Sequence, residues 1–130
     1  MKRAFLEAMT ESELRSLASL SGIPGAEDAD VSPETLIGAI LADANRTAEI
    51  AVAGMTFKVD VRNLRHASLV ELSAKPEKTF ADLQAMAVAI VGERQEKAIA
   101  KAATDGGDID TIVYSFLVSE IAKQVQAKNL

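Results

Sequence analysis

The sequence predicts a mainly α-helical α+β protein with one β-hairpin: a small N-terminal helical pair, the hairpin, then three to four helices. Three observations predict it. Two short apolar-periodic stretches follow the capping residues Thr10 and Ser32; residues from Ile50 to Val61 alternate apolar and polar with period two; and from Thr79 onward apolar residues recur at helical spacing. Residues 1–45 are expected to form a small helical segment and residues 46–130 a hairpin plus helical domain.

A short opening helix is expected around Arg3–Met9. Thr10 with Glu13 at the third helical position is a capping box, in which each side chain satisfies an orphan backbone N–H of the other residue. Leu14, Leu17 and Ala18 share the face that follows, and Gly22 with Pro24-Gly25 stops the helix. An acidic loop from Ala26 to Val31 leads to Ser32-Pro33, an N-cap followed by a proline whose missing N–H is harmless there. Leu36, Ile37, Ile40 and Leu41 form the next stripe. Ile50, Val52, Met55, Phe57, Val59 and Val61 then take one face of a hairpin turning at Ala53-Gly54. Residues Leu64 to Ala74 suit a short helix ended by Lys75-Pro76. Thr79 caps a helix carrying Phe80, Leu83, Met86, Ala87, Ile90 and Val91, and Gly92 marks a break. Glu93 to Thr104 continues as a charged helix with Ala98, Ile99 and Ala102 expected to face inward. After a turn at Asp105-Gly106-Gly107, Asp108 is the expected N-cap of the last helix. Its stripe of Ile109, Ile112, Val113, Phe116, Leu117, Ile121 and Val125 is wide enough to meet a partner as well as its own core.

Composition narrows the function classes. The 130 residues carry 14 Lys+Arg against 19 Asp+Glu, a net charge of −5, and no cysteine. Disulfides and thiol chemistry are therefore excluded. In residues 1–45, three basic residues (Lys2, Arg3, Arg15) stand against eight acidic ones, whereas the remainder is balanced. No cluster of Lys and Arg is present to neutralise a phosphate backbone, so nucleic acid is disfavoured as a partner. The longest uncharged apolar run, Ala85 to Gly92, is far short of the ~20 residues of a membrane helix, so no membrane partner is expected. Lys2 and Arg3 precede an apolar patch that Glu7 interrupts, so no signal peptide is expected and a cytoplasmic location is.

Chemistry-bearing motifs are scarce. The single histidine, His66, has Ser68 and Ser73 nearby but no framing motif, and a catalytic base needs a positioned partner. The acidic run from Asp105 to Asp110 fails the calcium-loop pattern, because Val113 stands where glycine is required. No glycine-rich phosphate loop occurs. The four phenylalanines fall on apolar faces, away from the exposed basic settings that stack bases. The expectation is a protein that is not an enzyme, with no catalytic, cofactor-binding or metal-binding residues and no cofactor.

Residues 11–41, with Leu14-x-x-Leu17-Ala18, Gly22-Ile23 and Leu36-Ile37-x-x-Ile40-Leu41, resemble a helix-extension-helix module of the SAP, LEM and Rho-N-terminal type. That resemblance implies binding of nucleic acid or of protein, although Ser32-Pro33-Glu34-Thr35 stands where DNA-binding versions carry Lys or Arg. Residues from about 46 to 130 resemble the tail assembly chaperones of long-tailed bacteriophages. The matching parts are Val52-Ala53-Gly54-Met55-Thr56-Phe57-Lys58-Val59-Asp60, Leu69-Val70-Glu71-Leu72, Ile90-Val91-Gly92-Glu93-Arg94-Gln95 and a last helix opening at Asp108-Ile109. The N-terminal helical extension is not part of the usual core of that family. The resemblance implies a non-enzymatic protein of a phage or prophage, working in the bacterial cytoplasm and absent from the mature virion. Its implied partners are the tape measure protein and tail-tube subunits, with room for a homo-oligomer, and many members also exist in a longer frameshifted form. Partner contacts are expected on Met86, Ile90, Ile112, Phe116, Val118, Ile121 and Val125, through helix-in-groove docking. The alternative is a nucleic-acid-associated or protein-interaction module acting through residues 11–41.

Overall fold

A computed structural model describes residues 1–128. The chain is mainly helical with one β-hairpin and divides into two compact units, Met1–Arg46 and Thr47–Leu130, each with its own core.

The first unit holds α1 (Arg3–Glu7), α2 (Glu11–Leu20) and α3 (Pro33–Ala44). The Thr10–Glu13 capping box closes as its spacing requires: the Thr10 N–H donates to Glu13 Oε1 at 2.8 Å, and the Glu13 N–H to Thr10 Oγ1 at 3.2 Å. Ser32 Oγ accepts from the Thr35 N–H at 3.2 Å, with Pro33 in the first turn. Leu6, Leu14, Ala18, Ala26, Leu36, Ile37 and Ile40 make a small apolar core. Between the two longer helices the chain is irregular, and Arg15 holds it. Its guanidinium donates to the carbonyls of Ala26 (3.2 Å), Asp28 (2.8 Å) and Val31 (2.7 Å) while also pairing with Glu11. An irregular segment must satisfy its backbone groups somewhere, and here one charged side chain takes three of them.

The second unit opens with β1 (Thr47–Val52) and β2 (Met55–Asp60), paired antiparallel with Ile50 opposite Phe57 and Glu49 opposite Lys58. Ala53 (φ 51°) and Gly54 (φ 79°) are both left-handed, the two-residue geometry whose twist matches the strands. A 3₁₀ turn at Asn63–Arg65 precedes α4 (Ala67–Ala74). Asn63 Nδ2 donates to the Ile90 carbonyl at 2.7 Å, satisfying one of the last carbonyls of α5 (Phe80–Val91). A second capping box, Thr79 with Asp82, starts α5. The Thr79 amide and then the Lys75 ammonium hold the Asp82 carboxyl below its ordinary range. Gly92, at φ 85° and ψ 160°, separates α5 from α6 (Glu93–Ala102). A two-residue strand pair, β3 (Thr104–Asp105) and β4 (Asp108–Ile109), leads into α7 (Thr111–Lys128). Phe57, Val59, Leu69, Ala87, Ile90, Ile99, Leu117 and Ile121 are among the residues that close the core.

The structure corrects the sequence reading at four places. Asp108 lies in β4; the cap of α7 is Asp110, whose Oδ1 accepts from the Ile112 N–H (2.9 Å) and the Val113 N–H (3.2 Å). On α6, Ala98 and Ala102 are exposed, while Glu96, Ile99 and Ala103 face inward. Phe5, expected on an apolar face away from exposed basic settings, is itself exposed close in sequence to the exposed Lys2 and Arg3. Finally, the buried face of α7 is Tyr114, Leu117, Val118, Ile121 and Val125, so Ile112, Val113 and Phe116 turn outward. One cause underlies the last of these: α7 is apolar around most of its first two turns, so periodicity alone does not choose a face.

Candidate interaction surface

The face of α7 is chosen by a polar anchor. Tyr114 is wholly buried, and its hydroxyl donates to Glu96 Oε1 at 2.8 Å. Gln84 Nε2 donates to the same oxygen at 3.1 Å. Glu96 is the buried charged residue of the described chain, 6% exposed, and these two donors meet its carboxylate from α7 and α5. A carboxylate left without donors in such a place costs far more than a neutral group, so the pair locks the rotation of α7 about its axis. Burial first, and then the neighbouring Glu96 carboxylate, pushes the Tyr114 phenol far above its ordinary value. Phe80 packs edge-on against the Tyr114 ring, with centroids 5.0 Å apart.

With Tyr114 turned inward, the other side of the helix must face out. Ile112 is 80% exposed and Phe116, one turn later, 56%, with Val113 beside them. Next to them runs a shallow groove of about 380 Å³ lined by Lys78, Phe80, Leu83, Thr111, Ile112 and Ser115. Lys78 Nζ donates to the Lys75 carbonyl at 3.0 Å. The arrangement offers apolar side chains, two hydroxyls and an ammonium to whatever lies against it.

Of the seven residues expected at a partner surface, Ile112 and Phe116 are exposed and belong to this patch. Met86 is half-buried at the edge of the core. Ile90, Val118, Ile121 and Val125 are core residues, each at most 4% exposed, and present nothing to a partner. Lys78, Phe80 and Leu83 line the groove but lay outside the expected set. The sequence does not reveal the anchor of Tyr114, Glu96 and Gln84 either: a charge on an Ala-rich helix reads as solvated, and only three-dimensional proximity brings the three together.

His66 is exposed at the N-terminal boundary of α4, where its backbone carbonyl accepts from Leu69 and Val70 while its side chain makes no capping bond. Asp105 and Asp108 flank the β3–β4 turn, and Asp110 is occupied as a cap. Among the described residues no group of three or more His, Asp and Glu side chains is placed to hold a metal ion. In the first unit an open cleft along α2 is lined by Glu11, Ser12, Arg15, Ser16, Ser19, Leu20 and Glu27. Its cation, Arg15, is already committed to backbone carbonyls, and its two carboxylates would repel a phosphate backbone. Among the described residues no helix is long and apolar enough to cross a membrane. No protein-family model, curated protein or solved structure matches the chain.

Proposed function

We propose that this chain is a non-enzymatic binding protein, a phage or prophage tail assembly chaperone. In this reading it takes an amphipathic helix of a tape measure protein, or a tail-tube subunit, onto the start of α7 in the host cytoplasm. It then leaves before the particle is finished. The observation that supports the reading is the pair Ile112 and Phe116, one helical turn apart and largely exposed, beside a groove lined in part by Phe80 and Leu83. Side chains at i and i+4 on a helix are the spacing by which one amphipathic helix grips another, and covering a large apolar side chain contributes about 1.5–3 kcal/mol.

The test is co-elution of the purified protein with a tape measure fragment and with tail-tube protein. Ile112→Ser combined with Phe116→Ser is expected to weaken such a complex at least tenfold (about 1.4 kcal/mol). Stability should stay within about 0.5 kcal/mol of wild type, as for substitutions on an exposed face. The complex should also respond little to salt. Steep salt-dependent retention of DNA would instead favour the first unit as a nucleic-acid module, and turnover of a small molecule would overturn the reading.

A further inference from the structure

The hairpin is a sheet of two strands, so each strand has one open edge, and an open edge is a template on which another chain can pair. The two-residue turn makes Val52 and Met55 a hydrogen-bonded pair, so alternation turns the backbone groups of Ala51, Glu49 and Thr47 outward on β1. On β2 the outward positions are Thr56, Lys58 and Asp60. Glutamine side chains meet both edges. On β2, the Lys58 N–H donates to Gln95 Oε1 at 2.9 Å, and Gln95 Nε2 donates back to the Lys58 carbonyl at 2.8 Å. The primary amide thus makes the two bonds that a neighbouring strand would make. Gln95 Nε2 also donates to the Val91 carbonyl at 2.8 Å, which fixes it in place. On β1, Gln124 Nε2 of α7 donates to the Ala51 carbonyl at 2.9 Å.

We propose that Gln95 and Gln124 are edge guards, keeping the hairpin of a second copy of this chain from extending the sheet. Two glutamines from different helices, one on each edge, bond outward-facing backbone groups: Gln95 takes both groups of Lys58 in the middle of β2, and Gln124 the carbonyl of Ala51 near the tip of β1. Ala51 and Lys58 are themselves exposed, so both bonded positions lie at the surface of the unit. The inference concerns self-association through backbone edges and does not rest on the function proposed above.

The test compares wild type with Gln95→Met, which keeps length and helix propensity but loses the amide. Sedimentation of both at rising concentration is expected to show the variant shifting to dimers or larger species at concentrations where wild type does not. Adding Lys58→Pro removes the outward N–H, a substitution that edge strands tolerate, and is expected to return Gln95→Met to wild-type behaviour. A Gln95→Met protein that sediments like wild type overturns the proposal. So does association that survives Lys58→Pro, since that association would not run through the β2 edge. Should Gln95→Met fail to fold, Gln124→Met carries the test on the other edge: new association supports the proposal and wild-type sedimentation overturns it.

Discussion

In Met1–Arg46 a small set of apolar residues, from Leu6 to Ile40, is supplemented by Arg15, which ties an irregular connection to α2 through three carbonyls. In Thr47–Leu130 the core is about twice as populous, and the principal buried polar contact, Tyr114 with Glu96, orients a helix instead of tethering a loop. The contrast follows from size. A unit of 46 residues buries a smaller share of its surface than one nearly twice as long, so backbone hydrogen bonds to a side chain carry more of its order. The larger unit can leave Ile112, Val113 and Phe116 in water without losing its core.

Substitutions break this comparison at different depths. The largest effects should come from the two cores. Phe57→Ala should cost about 3–5 kcal/mol and Leu36→Ala about 2–5 kcal/mol, each read by chemical denaturation and by loss of amide protection within its own unit. A near-neutral Phe57→Ala would mean that the hairpin face is not packed as described. Next, Tyr114→Phe should cost about 1–3 kcal/mol, because Glu96 then keeps Gln84 alone as a donor within a buried site. The phenol's value is raised in the folded state, so its contribution is fully present below the unfolded value of about 10 and is lost as pH rises beyond it. Stability of wild type should therefore fall more steeply above pH ~10 than that of Tyr114→Phe, measured by unfolding across that range.

One substitution should change sign between the units. At Gly92, φ 85° with ψ 160° is a region that only glycine enters readily, and open space surrounds the position. Gly92→Ala should thus cost about 1–3 kcal/mol from the backbone alone. Gly38 lies inside α3 without a positive φ, again with open space around it. Gly38→Ala should stabilise by about 0.5–1 kcal/mol. Thermal unfolding of both variants reads the difference, and equal effects would contradict the helix assignments.

Much of the fold is legible because its signals are local. The caps at Thr10, Ser32 and Thr79, the turn at Ala53-Gly54 and the alternation from Met55 to Val61 each depend on neighbours within a few residues. The outward face of α7 is not legible in this way. Ile112, Val113, Tyr114, Phe116, Leu117 and Val118 spread over about two thirds of the circumference, and the choice among them is made by Glu96, eighteen residues before Tyr114. Nor does the sequence show that Gln95 lies beside Lys58, since that neighbourhood arises only once Gly92 has turned the chain. The sequence places Ile112 and Phe116 in the expected partner set, but periodicity does not separate them from Ile90, Val118, Ile121 and Val125, which is why that set mixes surface with core.

The convergence of three peptide oxygens on the Arg15 guanidinium also bears on how the first unit comes apart. A connection pinned at one hub has no independent sections that can loosen singly, so Ala26, Asp28 and Val31 share a common fate. Lengthening the chain anywhere between Ala26 and Val31 would pull at least one oxygen out of reach. This stretch, although it looks like ordinary surface loop, is therefore a poor place for an insertion or a tag.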